Sequence, residues 1–135
     1  MKIFEVVVGV IKKEDQVLVL RHNKCRGLCL FPSGKVEDNE HLFDALKREM
    51  NEELGIEVIN AIPLSSSEQN YEWYDRVDGI MHTHETVYWI RDYKNIPYNK
   101  EPNKHLEMKW VSKEDIINNP QDYTNITYRF AMNWM

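Results

Sequence analysis

Carboxylates crowd one short stretch of this chain. Between Gly34 and Ile56, GKVEDNEHLFDALKREMNEELGI, seven acids face three bases, a net of −4 in a chain whose formal charge is −5. Glu49, Glu52 and Glu53 stand at i, i+3 and i+4, which on a helix sets them along one edge, where three like charges repel. A charge run is ordinarily a solvated face. Here the negative charge is local rather than spread over the surface, and a glycine loop lies in front of it. Oxygen ligands clustered in this way suit a hard divalent cation such as Mg²⁺, which takes a few carboxylates and keeps waters for a phosphate-bearing substrate.

The element that must position them is a helix. The spacing predicts one from about Glu40 to Leu54, with Asp38 or Asn39 as N-cap, Glu40 in the first turn and Gly55 as the stop. At 100° per residue Leu42, Ala45, Leu46, Met50 and Leu54 share one side and Asp44, Lys47 and Asn51 the other, an amphipathic helix lying on a core.

The stretch resembles the signature of the Nudix hydrolases, G-x5-E-x7-R-E-U-x-E-E-x-G-U with U bulky and apolar. Gly34, Glu40, Arg48, Glu49, Met50, Glu52, Glu53, Gly55 and Ile56 fill every specified position. The resemblance implies an α/β/α sandwich, with a mixed β-sheet carrying the signature loop and helix on one face and a C-terminal helix. Pattern alone supports only an α+β class. It also implies that Glu49, Glu52 and Glu53 hold Mg²⁺, with Mn²⁺ as substitute, that Glu52 or Glu49 serves as base, and that Arg48 orients a glutamate. Glu40 is expected to be structural. Upstream, Leu28 to Pro32 departs from the usual family approach at two positions: Cys29 stands where an aromatic is usual, which is expected to loosen packing, and Ser33 replaces the first glycine. A backbone carbonyl near that glycine is a metal ligand in relatives, a role Ser33 could fill.

Flanking elements follow in order. Ile3 to Lys12 reads as a buried strand; Glu5 and the lack of a small-residue cleavage site argue against a signal peptide. Glu14 to Gln16 turns the chain into a second strand, Val17 to Arg21. Arg21 and Arg26, in and beside the polar loop from His22, put positive charge where a phosphate could be drawn in. Ile56 to Leu64 reads as a strand, Ser65 to Ser67 as a polar break, and Glu68 to Gly79 as a strand edge or loop over a cleft. Tyr71, Trp73 and Tyr74 lie there, and Trp73 is the candidate to stack on a base. His82 to Tyr93 is another strand, with His82 and His84 read as surface residues.

Lys94 to Asn103 is a loop, followed by a strand from Leu106 to Val111. Glu101-Pro102-x-Lys104 with Trp110-Val111 looks like a segment of MutT-like nucleoside triphosphate pyrophosphohydrolases, which makes Glu101 the candidate to reach the metal cluster or act as base, with Glu107 in reserve. Ser112 or Lys113 opens a short helix ended by Pro120. Thr124 or Asn125 caps a last one through Trp134, with Ile126, Phe130 and Trp134 on a core face.

Composition bounds the rest. At 135 residues with 42% hydrophobic content the chain is expected to form a single domain, 1–135. A pI near 5.5 and the lack of basic runs argue against stable nucleic-acid binding, and no stretch is long enough to span a bilayer. Two cysteines, Cys25 and Cys29, are too few for a disulfide framework and point to a reducing compartment, the cytoplasm by default. A homodimer is compatible with a chain of this size. The expected partner is a small nucleotide: a nucleoside or deoxynucleoside triphosphate, ordinary or oxidised, cleaved to monophosphate and pyrophosphate. ADP-ribose or another sugar nucleotide, dinucleoside polyphosphates and capped RNA are the enzymatic alternatives. A non-catalytic nucleotide-sensing module is the alternative of another class, though such homologues generally lose box glutamates and this chain keeps all of them.

Overall fold

β1 (Ile3–Val10) is buried from Val6 onward, on both its faces. The computed structural model describes residues 2–73 and 79–135, so the expectation for Tyr74 lies outside the described residues. The remaining elements are β2 (Lys12–Lys13), β3 (Gln16–His22), β4 (Cys29–Leu30), β5 (Ser33–Lys35), α1 (Leu42–Leu54), β6 (Glu57–Glu72), β7 (Ile80–Lys94), β8 (His105–Ser112), α2 (Lys113–Asn118), a 3-10 turn (Pro120–Asp122) and α3 (Asn125–Trp134). One sheet has the order β5-β1-β7-β6, with β1 antiparallel to β5 and parallel to β7. The other runs β2-β3-β4, with β8 antiparallel on β3.

Alternation along β1 and β3 divides the core in two. Val6, Val8, Val10, Val17 and Val19 face one way, with Phe31, Ile126 and Phe130; Val7, Ile11, Leu18 and Leu20 face the other, with Leu46, Met50 and Leu54. A strand buried on both faces reads as a continuous apolar run, and this is why Ile3 to Lys12 does so. The α1 helix covers one face and α3 the other, the α+β arrangement in three layers. Fully buried Leu46, Met50 and Leu54 each contribute ~1.5–3 kcal/mol toward holding α1 down. The approach is close because β1 has a glycine beneath the helix: a Cβ on Gly9 would stand 2.8 Å from Met50 Sδ and 2.9 Å from Ile90 Cδ1.

Several expectations are corrected. The helix starts at Leu42 with His41 as an extended N-cap lacking any side-chain cap bond, not at Glu40 after Asp38 or Asn39. Asn39 is left-handed, with φ of 64°, and Glu40 is held in the loop by its ion pair. Gly55 does end the helix, its N–H bonding Asn51 O at 2.9 Å. Ser65 to Ser67 is no break: β6 continues to Glu72, absorbing Pro63 by a register shift between Pro63 and Ser65 while Ser65–Ser67 pair with Val87–Glu85. Proline is tolerated there because β6 is an edge strand and the bulge relieves the missing donor. Trp134 is 50% exposed, stacked at 6.5 Å on the buried Phe130 rather than sunk in the core. Cys29, where an aromatic is usual, is buried at 1% exposure. As expected, Ser112 caps α2, in a capping box with Asp115.

Candidate active site

Two turns of α1 separate the box glutamates by environment. Glu49 and Glu53, one turn apart, point inward at 8% and 3% exposure, whereas the Glu52 side chain is 51% exposed. Glu49 occupies space that only a glycine leaves open: a Cβ on Gly34, in β5, would fall directly on the Glu49 carboxyl group. Ser33 N–H donates to Glu53 Oε1 at 2.9 Å, so Ser33 bonds the box through its amide. β5 is pinned to β1 through Val8↔Ser33 and Val7↔Gly34, which fixes the loop against the helix.

Arg48 ties the acids together. Its Nε and Nη2 fork onto Glu40 at 2.9 Å each, Nη1 reaches Glu49 Oε1 at 2.8 Å and Glu52 Oε2 at 3.4 Å, and Nη2 also bonds Lys35 O at 2.9 Å. The guanidinium, with help from the Glu37 N–H, holds the Glu40 carboxyl down at about 2. Glu49 behaves otherwise: burial pushes it up to about 7 despite Arg48, and the neighbouring Glu53 and Glu52 charges add to the rise. Burial likewise raises Glu53.

Behind Glu53 lies a group the sequence reading did not assemble. Glu53, Glu101 and His105 bring one ligand atom each within 4.8 Å of one another. His105 Nε2 is 3.4 Å from Glu53 Oε2, and His105 and Glu101 Oε1 are buried without a hydrogen bond. Loop 95–104 is anchored to the end of α1 by Tyr98 N–H on Leu54 O and Lys100 N–H on Glu53 O, both 3.1 Å.

Glu49 and Glu53 open on a cleft of about 450 Å³. Ser33, Gly34, Glu49 and Glu53 form one end, and Leu30, Phe31, Met81 and Ile126 form apolar walls. Trp73 stands at the cleft and packs against His22 at 4.8 Å, which in turn meets His105 edge-on at 5.3 Å. Thr83, Glu85 and Tyr71 line it too; Glu85 is 4% exposed and accepts the Thr83 hydroxyl at 2.8 Å, and burial pushes its carboxyl upward. Among the described residues the lysines and arginines that line the cleft are Lys24, Lys35 and Lys104, not the Arg21 and Arg26 expected from sequence. Arg21 bonds Gly27 O at 2.7 Å and Glu107 at 3.2 Å, and Arg26 pairs with Glu72 on an exposed face; neither lines the cleft. Glu107, the reserve for Glu101, is taken by Arg21 and Lys109. His82 and His84 sit half-exposed beside Asn70 and Glu5, as surface histidines.

His105 and Glu85 were missed for different reasons. His105 directly precedes the strand read as Leu106 to Val111, and its burial depends on β8 pairing with β3. Glu85 carried a legible signal, a carboxylate inside a strand of β-branched and aromatic residues, where unpaired charge is rarely buried.

The model of the NUDIX domain family matches residues 3–133. The chain belongs to the NUDIX family. Members generally use a divalent metal ion, and the residues here fit one: among the described residues the inward carboxylates outnumber the arginine that serves them, and buried Glu101 Oε1 and the His105 ring nitrogens make no hydrogen bond. Among curated Nudix relatives, the CTP pyrophosphohydrolase of Escherichia coli is 30% identical over 124 residues, 89% of this chain and 84% of that protein. The 8-oxo-dGTP diphosphatase of Buchnera aphidicola is 37% identical over 62 residues, 44% of this chain and 48% of its own length. A MutT Nudix hydrolase from Burkholderia pseudomallei has the same fold, with a TM-score of 0.84 over the whole of both chains at 24% identity. The ORF135 protein of E. coli follows at 0.75 and 27%, covering all of this chain and 90% of that one. No helix among the described residues is long and apolar enough to cross a membrane.

Two consequences of this geometry are measurable. Gly34→Ala forces Glu49 out of its seat, so kcat is expected to drop at least tenfold, with ~1–3 kcal/mol lost from stability through overpacking. A variant with wild-type rate and midpoint would contradict the contact. The second consequence concerns pH. A carboxyl whose folded pKa lies above its unfolded value binds its proton more tightly in the fold. Stability therefore falls as pH rises from near 4.5 through about 7 for Glu49, and Glu53 and Glu85 shift in the same sense. The metal-free protein is expected to lose thermal stability across that window, each such group contributing at most ~1.4 kcal/mol per pH unit. Glu40 acts oppositely, but only below its unfolded value. A midpoint that rises between pH 5 and 7 would refute the assignment.

Proposed function

We propose that this chain hydrolyses a nucleoside or deoxynucleoside triphosphate, ordinary or oxidised, to the monophosphate and pyrophosphate, with Mg²⁺ and with Mn²⁺ as a substitute. The observation that carries the reading is the inward pair Glu49 and Glu53, from a complete carboxylate box, at one end of a cleft that also offers apolar walls from Leu30, Phe31, Met81 and Ile126 and the aromatic Trp73. Phosphates go to the charged end and the base to the apolar one. Relatives named for CTP and for 8-oxo-dGTP support a triphosphate over a sugar nucleotide or dinucleoside polyphosphate.

Glu49, Glu52 and Glu53 would hold the metal, with Ser33 and Glu101 beside them. A bound divalent ion supplies charge neutralisation for the phosphate oxygens and an acidified water. The chain's own residues do the rest. Lys24, Lys35 and Lys104 draw the polyphosphate in along the cleft, and Trp73 offers a stacking surface. Glu52, the most exposed of the three box glutamates, accepts the proton of the attacking water; Glu49 is the other candidate. The walls exclude water from the base. Arg48 and Glu40 position Glu49. The two free, buried cysteines accord with action in the cytoplasm, as a single domain.

The test is product analysis with Mg²⁺ over ordinary and oxidised triphosphates, ADP-ribose and dinucleoside polyphosphates. Monophosphate plus pyrophosphate from triphosphates is the expected result; cleavage of ADP-ribose alone would replace the reading, and nucleotide binding without any cleavage would favour a sensing module. In the same panel Glu85→Leu, which removes the polar group from the cleft floor, is expected to compress the ranking of bases severalfold while pyrophosphate release persists.

A further inference from the structure

Stacking on Trp73 would hold any base, because every base has a π-face. Discrimination between bases therefore has to come from a polar group in the cleft wall, and β7 supplies one. Met81, Thr83 and Glu85 alternate along this strand, so all three line the cleft from one face of the sheet. Glu85 is aligned with Val6 of β1, and Val6 in turn with Lys35 of β5. Two strand spacings, ~10 Å, thus separate the Glu85 backbone from the strand that carries Ser33 and Gly34 to the box. A nucleoside bridges a separation of that order between its phosphate and the edge of its base. The Glu85 carboxyl has hydroxyl partners and no cation among the described residues: Thr83 donates to Oε2 at 2.8 Å, and the Tyr71 side chain is hydrogen-bonded to the same group. A carboxylate offers about four acceptor positions and no donor. Two hydroxyls leave the others open, and they do not offset burial, which pushes this carboxyl up. A third donor, entering from the cleft, would complete its shell.

We propose that Glu85 reads the base by accepting a hydrogen bond from its exocyclic amino group, so that the substrates are nucleotides of amino-bearing bases such as cytosine or guanine, in preference to uracil or hypoxanthine. The inference rests on the reading of this cleft as a nucleoside triphosphate site. Uracil places a carbonyl where cytosine has its amino group, which sets lone pairs against the lone pairs of Glu85. Hypoxanthine has only hydrogen where guanine has its amino group, which leaves the buried carboxylate short of a donor. Sites built around a substrate hydrogen bond reject analogues that lack it far more strongly than apolar pockets reject a change of shape. Glutamate accepting from the cytosine amino group is a pairing that geometry favours. Thr83 and Tyr71 are positioning residues in this scheme, holding the carboxyl from the sheet side.

The test is kcat/KM with Mg²⁺ for two pairs of substrates that differ at the amino position, CTP against UTP and GTP against ITP, measured on the wild type and on Glu85→Gln. In the wild type the amino-bearing member of at least one pair is expected to be favoured by about tenfold or more. Glu85→Gln keeps the volume but adds an amide N–H that donates to a carbonyl, so the preference should fall at least tenfold, with UTP gaining on CTP. A Glu85 that only braced the sheet would slow both members of a pair alike and leave their ratio where it was. Such an unchanged ratio in Glu85→Gln would overturn the proposal. So would wild-type ratios near one in both pairs, a result that requires no variant to fold. Either outcome leaves triphosphate hydrolysis standing, whereas failure to cleave any of the four would overturn both readings.

Discussion

Glu53→Gln is expected to lower turnover by ~10²–10³-fold, because a bound divalent ion supplies several kcal/mol of transition-state stabilisation and each 1.4 kcal/mol is a factor of ten. The substitution keeps volume and shape. Its amide oxygen can still accept the Ser33 N–H, the 2.9 Å bond that fixes Glu53 in the wild type. Folding should therefore survive, and the metal-free variant should be as stable as the wild type or more so near pH 8, since a carboxylate at 3% exposure that burial pushes toward its neutral form has been replaced by a neutral group. The telling comparison is the stabilisation produced by added Mg²⁺. It should be large in the wild type and nearly absent in Glu53→Gln. Full activity, or an undiminished thermal shift with Mg²⁺, would remove Glu53 from the site.

The position of that residue was legible in the sequence, its surroundings only in part. Spacing alone set Glu49, Glu52 and Glu53 on one helix edge, because 3.6-residue periodicity is local and the apolar stripe from Leu42 to Leu54 leaves one orientation. The split between them, Glu49 and Glu53 inward and Glu52 outward, depends on how far α1 rolls on β1 and on the room made by Gly9 and Gly34. No pattern within the helix encodes that. The same holds for His105, placed beside Glu53 through β3–β8 pairing, and for Glu85, brought to the cleft through β6–β7 pairing. Ser65–Ser67 marks the opposite case. Serine is a weak strand former and Pro63 a breaker, so the local reading was a polar break, and fourteen cross-strand partners along β7 overrode it. Arg21 and Arg26 looked like phosphate binders because only their charge was visible; Glu107 and Glu72, far away in sequence, already occupy them.

The second large effect is expected at Arg48, which touches more of the box than any single glutamate. Arg48→Ala would leave Glu40 and Glu49 without their shared cation, their side chains at only 16% and 11% exposure, and would free the loop carbonyl of Lys35. Breaking a poorly solvated pair from one side costs more than the pair contributes, because the remaining charge has nowhere to go. The thermal midpoint should fall by several degrees and kcat by about a hundredfold. Arg48→Lys separates the two roles of the residue. An ammonium restores charge but not the fork that spans Glu40 and reaches Glu49 at once, so stability should recover in part while kcat stays at least tenfold down. Glu40→Gln completes the argument. It leaves every inward carboxylate intact and removes the anchor that holds Arg48, so a positioning role predicts a lower kcat with KM little changed, and a pH profile displaced upward as Glu49 loses its held cation. If Glu40→Gln behaves as wild type in rate and profile, the fork is ornamental and Arg48 acts on Glu49 alone.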